Sequence, residues 1–157
     1  MKTLFYLTIL MLSIVSCTAG KKEAPGVPVD FQILSGYFVS NTYDLKDEYN
    51  LITVINEDQM NTSFGMATTM NTAPTPVDFT KDVVVAVALL PTNIDKNMTV
   101  SKIEKSNEVL KVYVNILDGE KKSFTQTPVT LVSLPRLIDV SQVDLFINEE
   151  KVNSKSY

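Results

Sequence analysis

Val83-Val84-Val85-Ala86-Val87-Ala88-Leu89-Leu90 is the most apolar stretch of the chain beyond residue 29. It has no polar face and is rich in β-branched residues. Such a run reads as a strand buried on both sides, because an amphipathic helix or a half-exposed strand would show polar positions at its own period. The flanks agree. Pro76-Val77-Asp78-Phe79 and Lys81-Asp82 lead in, and Pro91 stops the run. Further along, Leu110, Val112, Val114 and Ile116 alternate with Val109, Lys111, Tyr113 and Asn115. That is period two with one polar face, the pattern of an antiparallel strand.

Working outward, Phe31–Ser40 reads as one strand interrupted at Gly36, and Leu51–Ile55 as a short β-branched strand. A further strand begins with Met98, Val100 and Ile103. Thr127–Leu134 is another, with Pro128 at its start and Pro135 at its end, and Val143–Ile147 is the last. Lys105-Ser106-Asn107-Glu108 and Asp118-Gly119 carry turn signals. Between strands, Asn56 with Gln59 three residues on has the spacing of a capping box. Glu57 and Asp58 follow in the first turn, and Met60 and Phe64 share a face. One short helix is predicted over Glu57–Phe64, with Gly65 at its end. The sum is an α+β, strand-dominated domain. About six strands form an antiparallel sheet that folds over on itself, with one short helix plugging an end.

The N-terminus has a different character. Lys2 precedes the apolar run Leu4–Leu12, and Ser13-Ile14-Val15-Ser16 leads to Cys17, the only cysteine. This is the charged, apolar and small-residue order of a secretory signal. Ile14-Val15-Ser16-Cys17 resembles the bacterial lipobox. The resemblance implies cleavage before Cys17 and lipid attachment on its sulfur. The expected organisation is a signal peptide at 1–16, a lipidated Cys17 with a flexible tether to 29, a single strand-rich domain over 30–152, and a frayed polar tail at 153–157. The apolar run is shorter than the roughly 20 residues that span a bilayer, so the expected membrane contact is the lipid alone. The chain resembles the envelope lipoproteins of Bacteroidetes. The second-position Thr18 is unlike the Asp that typically retains lipoproteins of Gram-negative bacteria at the inner membrane, and no acidic run of the kind that favours surface export in the Bacteroidetes type follows Cys17. The expected location is the outer membrane, facing the periplasm, with the cell surface as the alternative.

Composition removes many functions. There is no histidine, and the one cysteine is assigned to lipid. Imidazole bases, Ser-His and Cys-His pairs and most zinc and copper sites are thereby excluded. A disulfide within the chain is impossible. The net charge is −4, and Arg136 is the only arginine, which argues against nucleic acid as a partner. No cofactor and no metal are expected.

The carboxylates are better explained by structure than by chemistry. Asp78 reads as an Asx-type turn residue and Asp82 as a solvated strand entry, rather than as an acid/base pair. Asp44, Asp47 and Glu48 lack the ligand spacing of a calcium loop. Ser101 and Lys102 fall on opposite strand faces and make a poor dyad. Met66 and Met70 read as gap-filling side chains. Binding is expected in two exposed segments, Pro91–Asn97 with Thr92 and Asn93, and Asp118–Gln126 with Phe124. Phe124 is expected to fold back onto the core.

The order of features from Leu51 on resembles the PrcB-like domain of a protease-complex lipoprotein. The matching pieces are Leu51–Ile55, Asn56–Phe64, Val77-Asp78-Phe79, Val83–Leu90, Val109–Ile116 and Thr127–Pro135, about the last two-thirds of the chain. Pro91-Thr92-Asn93-Ile94 stands where that family has a Gly-Gly-Tyr segment. The resemblance implies a non-catalytic accessory domain that docks on or stabilises a protease. The function expected from the whole sequence is a non-catalytic, membrane-anchored binding or accessory module. One alternative is a protease inhibitor or protease-complex subunit, and another is a weak carboxylate-dependent glycan-processing enzyme.

Overall fold

The computed structural model describes residues 25–67 and 73–157. The signal segment, Cys17, the first part of the tether and Met70 lie outside the described residues. The elements run β1 (Val27–Pro28), β2 (Gln32–Leu34), β3 (Tyr37–Val39), β4 (Tyr49–Val54), α1 (Glu57–Ser63), β5 (Phe64–Met66), β6 (Asp82–Leu89), β7 (Thr92–Ser106), β8 (Val109–Gln126), β9 (Val129–Pro135), β10 (Gln142–Ile147) and β11 (Glu150–Ser156).

β6 is central, as its unbroken apolar run requires. It pairs antiparallel with β4 on one side and β9 on the other, in a sheet of order β2-β9-β6-β4. Its two faces feed two cores. Val83, Val85, Val87 and Leu89 meet Val100, Ile103, Leu110, Val112, Val114, Val143 and Leu145 of a second sheet, of order β1-β7-β8-β10-β11. Val84, Ala86 and Ala88 point the other way, into a cluster with Ile52, Val54, Met60, Phe64, Leu34 and Val39. The fold therefore has three layers. The third consists of α1 and the small β3–β5 pair. Alanines on that face of β6 leave room for the side chains of the third layer.

α1 begins where its sequence says. The Gln59 backbone N–H donates to Asn56 Oδ1 at 2.9 Å, and Gln59 Oε1 accepts from the Ile55 N–H at 3.0 Å. The reciprocal bond thus reaches one residue further back than in the usual box. The helix lies over a sheet face and does not plug an end. Gly65 sits in β5. A Cβ there would lie 2.3 Å from Phe38 Cζ, so this glycine makes room for a ring and does not end the helix.

The fold is α+β and strand-dominated, as expected, and β4, β6, β7, β8, β9 and β10 are among the expected strands; the expected interrupted strand Phe31–Ser40 breaks at Gly36 into β2 and β3, which belong to different sheets. Several boundaries differ. The tail is not frayed, because Asn153–Ser156 pair with β10 as part of β11. This hairpin turns through Asn148 and Glu149, both with positive φ (49° and 72°). Asn-Glu lacks the glycine by which such a turn is recognised in sequence. The domain also begins before residue 30. Val27 and Pro28 pair with Lys105 and Glu104, and the Val29 N–H donates to Ile103 O at 2.9 Å. Pro28 is tolerated because β1 is an edge strand.

The second sheet is mixed. β10 runs parallel to β8, from Gln142 beside Val109 to Ile147 beside Val114. The chain leaves β9 in one sheet and crosses through 136–141 to the other, so it arrives pointing the same way as β8. Period-two alternation is identical for either strand direction, so the sequence does not distinguish them.

Candidate functional site

The two segments expected to bind are not loops. They are the far ends of β7 and β8, joined in one two-stranded arm. Lys96 pairs with Asp118, Ile94 with Lys121 and Thr92 with Gln126. The β8 side has more residues than the β7 side over this stretch, so the arm is bulged. The expected turn at Asp118-Gly119 is absent, and Gly119 lies within β8. A Cβ on Gly119 would sit 3.2 Å from Asp95 Cβ, so the glycine permits close strand approach. The turn that joins β7 to β8 is Asn107-Glu108 at the opposite end, with Asn107 at φ 55°.

The arm starts where neighbouring strands stop. β10 accompanies β8 only to Val114, and β1 reaches only Glu104 and Lys105 of β7. Asn148 closes that boundary. Its side-chain Oδ1 accepts from the Ile116 N–H at 2.9 Å and its Nδ2 donates to Ile116 O at 3.3 Å. The amide thus imitates one more peptide of β10 and satisfies the last backbone pair of β8 before the arm.

Polar pairs stitch the arm together. Lys96 Nζ lies 2.5 Å from Asp118 Oδ1, Gln126 Nε2 donates to Asp95 Oδ1 at 3.1 Å, and Lys122 Nζ lies 3.3 Å from Asp95 Oδ2. The bond from Gln126, followed by Lys122, holds the Asp95 carboxyl below its ordinary range. Thr92 Oγ1 accepts from the Ile94 N–H at 3.1 Å, which folds the first bulge. The three expected binding residues therefore share one element. Thr92 is half-buried at the root, Asn93 is exposed, and Phe124 lies in the bulge between Lys121 and Gln126. Phe124 does not fold back: it is 58% exposed, and Leu117 at the start of the arm is 67% exposed. Neither Leu117 nor Phe124 belongs to either core cluster.

A cavity of about 420 Å³ opens at the root of the arm, with Glu48, Tyr49, Thr92, Lys96, Asp118 and Asn148 in its wall. Burial raises the Tyr49 phenol above its ordinary pKa. A bond and the charge of Glu48, then the charges of Asp118 and Glu150, raise it further. The cavity is thus an acidic, hydroxyl-bearing recess suited to hydrogen-bond donors. Asp118 already has Lys96 as its partner.

The other candidates resolve into structure. Asp78 Oδ1 accepts from the Thr80 N–H at 3.1 Å and from its hydroxyl at 2.5 Å, and Lys81 Nζ lies 2.9 Å from Oδ2. The Thr80 hydroxyl, then Lys81 and the Thr80 N–H, pull the carboxyl down to about 2. It is the Asx-type turn residue the sequence suggests. Asp82 begins β6 opposite Pro135. The loop with Asp44, Asp47 and Glu48 is organised by buried Asn50. Its Oδ1 accepts from the Lys46 and Asp47 N–H groups at 3.0 and 3.1 Å, and its Nδ2 donates to Asp47 O and Ala88 O. Ser101 donates to Tyr113 O, whereas Lys102 lies 4.1 Å above the Tyr113 ring.

Sequence reasoning missed the arm, the Asn148 clip and a polar cluster on β10–β11. In that cluster Asp144, 6% exposed, accepts from Gln142, Lys151 and Ser154, each at 2.7 Å. Nearby, the rings of Tyr113 and Phe146 stack with centroids 4.6 Å apart. No helix among the described residues is long and apolar enough to cross a membrane. No protein-family model, curated protein or solved structure matches the chain.

Proposed function

We propose that this chain is a non-catalytic envelope lipoprotein, tethered through lipid on Cys17, whose arm docks on a protein partner. The observation that carries the reading is the arm itself. It continues past the strands that flank it elsewhere and joins the second sheet to β6 and β9, is pinned by cross-strand polar pairs, and exposes Leu117 and Phe124. Large apolar side chains on a braced, solvated element are costly to leave in water and gain when a partner covers them.

The PrcB-like resemblance makes a protease the first partner to consider, as an inhibitor or accessory subunit. The root of the arm, Pro91–Ile94, occupies the place of that family's Gly-Gly-Tyr segment. A second reading, glycan processing, draws on Glu48 and Asp118 lining one cavity. It requires one carboxylic acid and one carboxylate facing a common bond, and the bond from Lys96 to Asp118 works against that arrangement.

The test is site-specific photo-crosslinking in intact cells, with the reactive group at position 124 and a control at Lys155. One discrete adduct from position 124, lost when Leu117 is changed to Asp, supports docking through the arm. Equal or absent adducts at the two positions overturn it. Cys17→Ser tests the anchor separately, since it should release the protein from the membrane fraction.

A further inference from the structure

We propose that the loop 136–140, together with Val27, is a membrane-contact surface that seats the domain on the zwitterionic phospholipid bilayer holding its anchor. The proposal rests on the lipid-anchor reading of Cys17 and adds to it an orientation.

Ile138 is 98% exposed, the most solvent-accessible large apolar side chain among the described residues. It is not on a slack loop. The Arg136 N–H donates to Lys81 O at 2.8 Å, and its Nη2 donates to Ile55 O at 2.8 Å and Phe79 O at 2.9 Å. On the other side the Ser141 N–H donates to Glu108 O at 2.9 Å, and Val140 is buried. Ile138 is therefore held outward between two fixed ends. Both charged side chains of the loop are held by partners. Asp139 lies 2.6 Å from Lys105, which holds its carboxyl below the ordinary range, and the Arg136 guanidinium faces the two carbonyls. Paired charges lower the cost of approaching a zwitterionic surface, where an unpaired one would have to be desolvated.

The position of the tether identifies the occupant. Lys105, partner of Asp139, is also the register partner of Val27, which is 67% exposed. Val27, Pro28 and Leu137 line one largely apolar recess of about 470 Å³ with Pro25. Tyr157, 38% exposed, closes the same end, its N–H donating to Ser141 O at 2.8 Å. Tyrosine is suited to a membrane interface, with an apolar ring and a polar tip. Pro25 stands eight positions after Cys17. At about 3.3–3.6 Å per residue these eight steps reach at most about 29 Å, so the lipid attaches to the domain from the end where Pro25 and Leu137 line one recess. Leu117 lies eight residues along β8 from the Asn107-Glu108 turn at this end. That is about 26 Å by strand rise, so with the Ile138 end seated on the bilayer the arm lies on the side away from it.

The chain has no tryptophan, so a single introduced indole reports its own surroundings. Full-length lipidated Ile138→Trp and Leu117→Trp proteins would be reconstituted into phosphatidylethanolamine–phosphatidylcholine vesicles. The quencher is bromine on the acyl chains, near the interfacial depth of roughly 5–10 Å. Ile138→Trp should shift to the blue and lose emission to the bromine, as expected of a ring at that depth, while Leu117→Trp stays unquenched. If the protein floats with the vesicles but both indoles behave alike, the contact surface is refuted and the anchor stands. If the protein does not float, the anchor reading fails and the surface proposal falls with it.

Discussion

Asp144→Ala removes the most heavily bonded buried carboxylate among the described residues. Its side chain is 8% exposed and accepts three bonds of 2.7 Å, from Lys151, Ser154 and Gln142. Bonds to a charged acceptor contribute about 1.5–3 kcal/mol each in isolation. Lys151 is 46% exposed, so its share is screened and it re-solvates when its partner is lost. Ser154 is exposed and recovers water as well. The expected net loss is about 2–3 kcal/mol, less than three full bonds. For a domain of this size that corresponds to a fall of about 10 °C in Tm. The loss should depend on pH. Burial, the largest single influence on the carboxyl, raises its pKa, but Lys151, Ser154 and Gln142 together outweigh it and leave it lowered. A depressed folded-state pKa gives stability that is fully present above the unfolded value near 4 and is lost as pH falls through the folded value. Urea unfolding of wild type and Asp144→Ala should therefore differ fully at pH 7 and begin to converge as the pH falls below about 4. A double-mutant cycle with Lys151→Met should give a coupling of about 1 kcal/mol. A gap between wild type and mutant that persists unchanged at pH 2.5 would refute the electrostatic account and leave only packing.

Three further outcomes follow from the geometry. Gly65→Ala should cost about 1–2 kcal/mol, because its Cβ would meet the Phe38 ring. In a Phe38→Ala background that cost should nearly vanish, and equal costs in both backgrounds in thermal unfolding would show that the ring is not the obstacle. Asn148→Gly keeps a residue at ease with positive φ but loses both bonds to Ile116, an expected cost of about 1–2 kcal/mol. Asn148→Ala should cost about 1 kcal/mol more from the backbone alone, and hydrogen exchange should speed up first at the Ile116 amide. Arg136→Lys should be nearly as damaging as Arg136→Ala, about 2 kcal/mol by chemical denaturation. One guanidinium nitrogen reaches the carbonyls of both Ile55 and Phe79 in a fixed direction, whereas an ammonium on a shorter, flexible stem is not pre-organised for that site. Full rescue by Lys would mean that only the charge matters.

The sequence is most readable where residues act locally or where a whole face is buried. Val83–Leu90, the Leu110–Ile116 alternation and the Asn56–Gln59 cap announce themselves through hydrophobic period or fixed spacing, and each forms the element its pattern implies. What escapes reading is pairing at a distance. The parallel β8–β10 pair has the same alternation an antiparallel pair would have. β11 reads as a polar tail because it is an edge strand. Its Asn153 and Lys155 donate across the gap to Tyr49 O and Leu51 O of β4, closing the sandwich with side chains instead of a ladder. The arm escaped for a related reason. Asp118-Gly119 carries a turn signal that holds for an isolated hairpin, yet here the glycine is used to bring β8 close to Asp95. Thr92, Asn93 and Phe124 fall in segments that read as exposed, but only the register shows that they share one element.

The two proposed surfaces constrain one another. β7 and β8 run the length of the second sheet, with the Asn107-Glu108 turn beside Val27 and Leu137 at one end and the bulged arm at the other. If the Ile138 end rests on the bilayer, the arm is held away from the membrane by the span of the sheet, about 26 Å over the stretch from Val109 to Leu117. A partner reached by the arm must then present its own docking site at that height. An anchor alone would let the domain tumble on its tether and sample all heights. An apolar contact beside the tether reduces that freedom and raises the effective concentration of the arm at one distance. Removing the contact with Ile138→Asp should therefore weaken crosslinking from position 124 while leaving the protein anchored. That result would tie the two ends into one mechanism, and undiminished crosslinking would separate them.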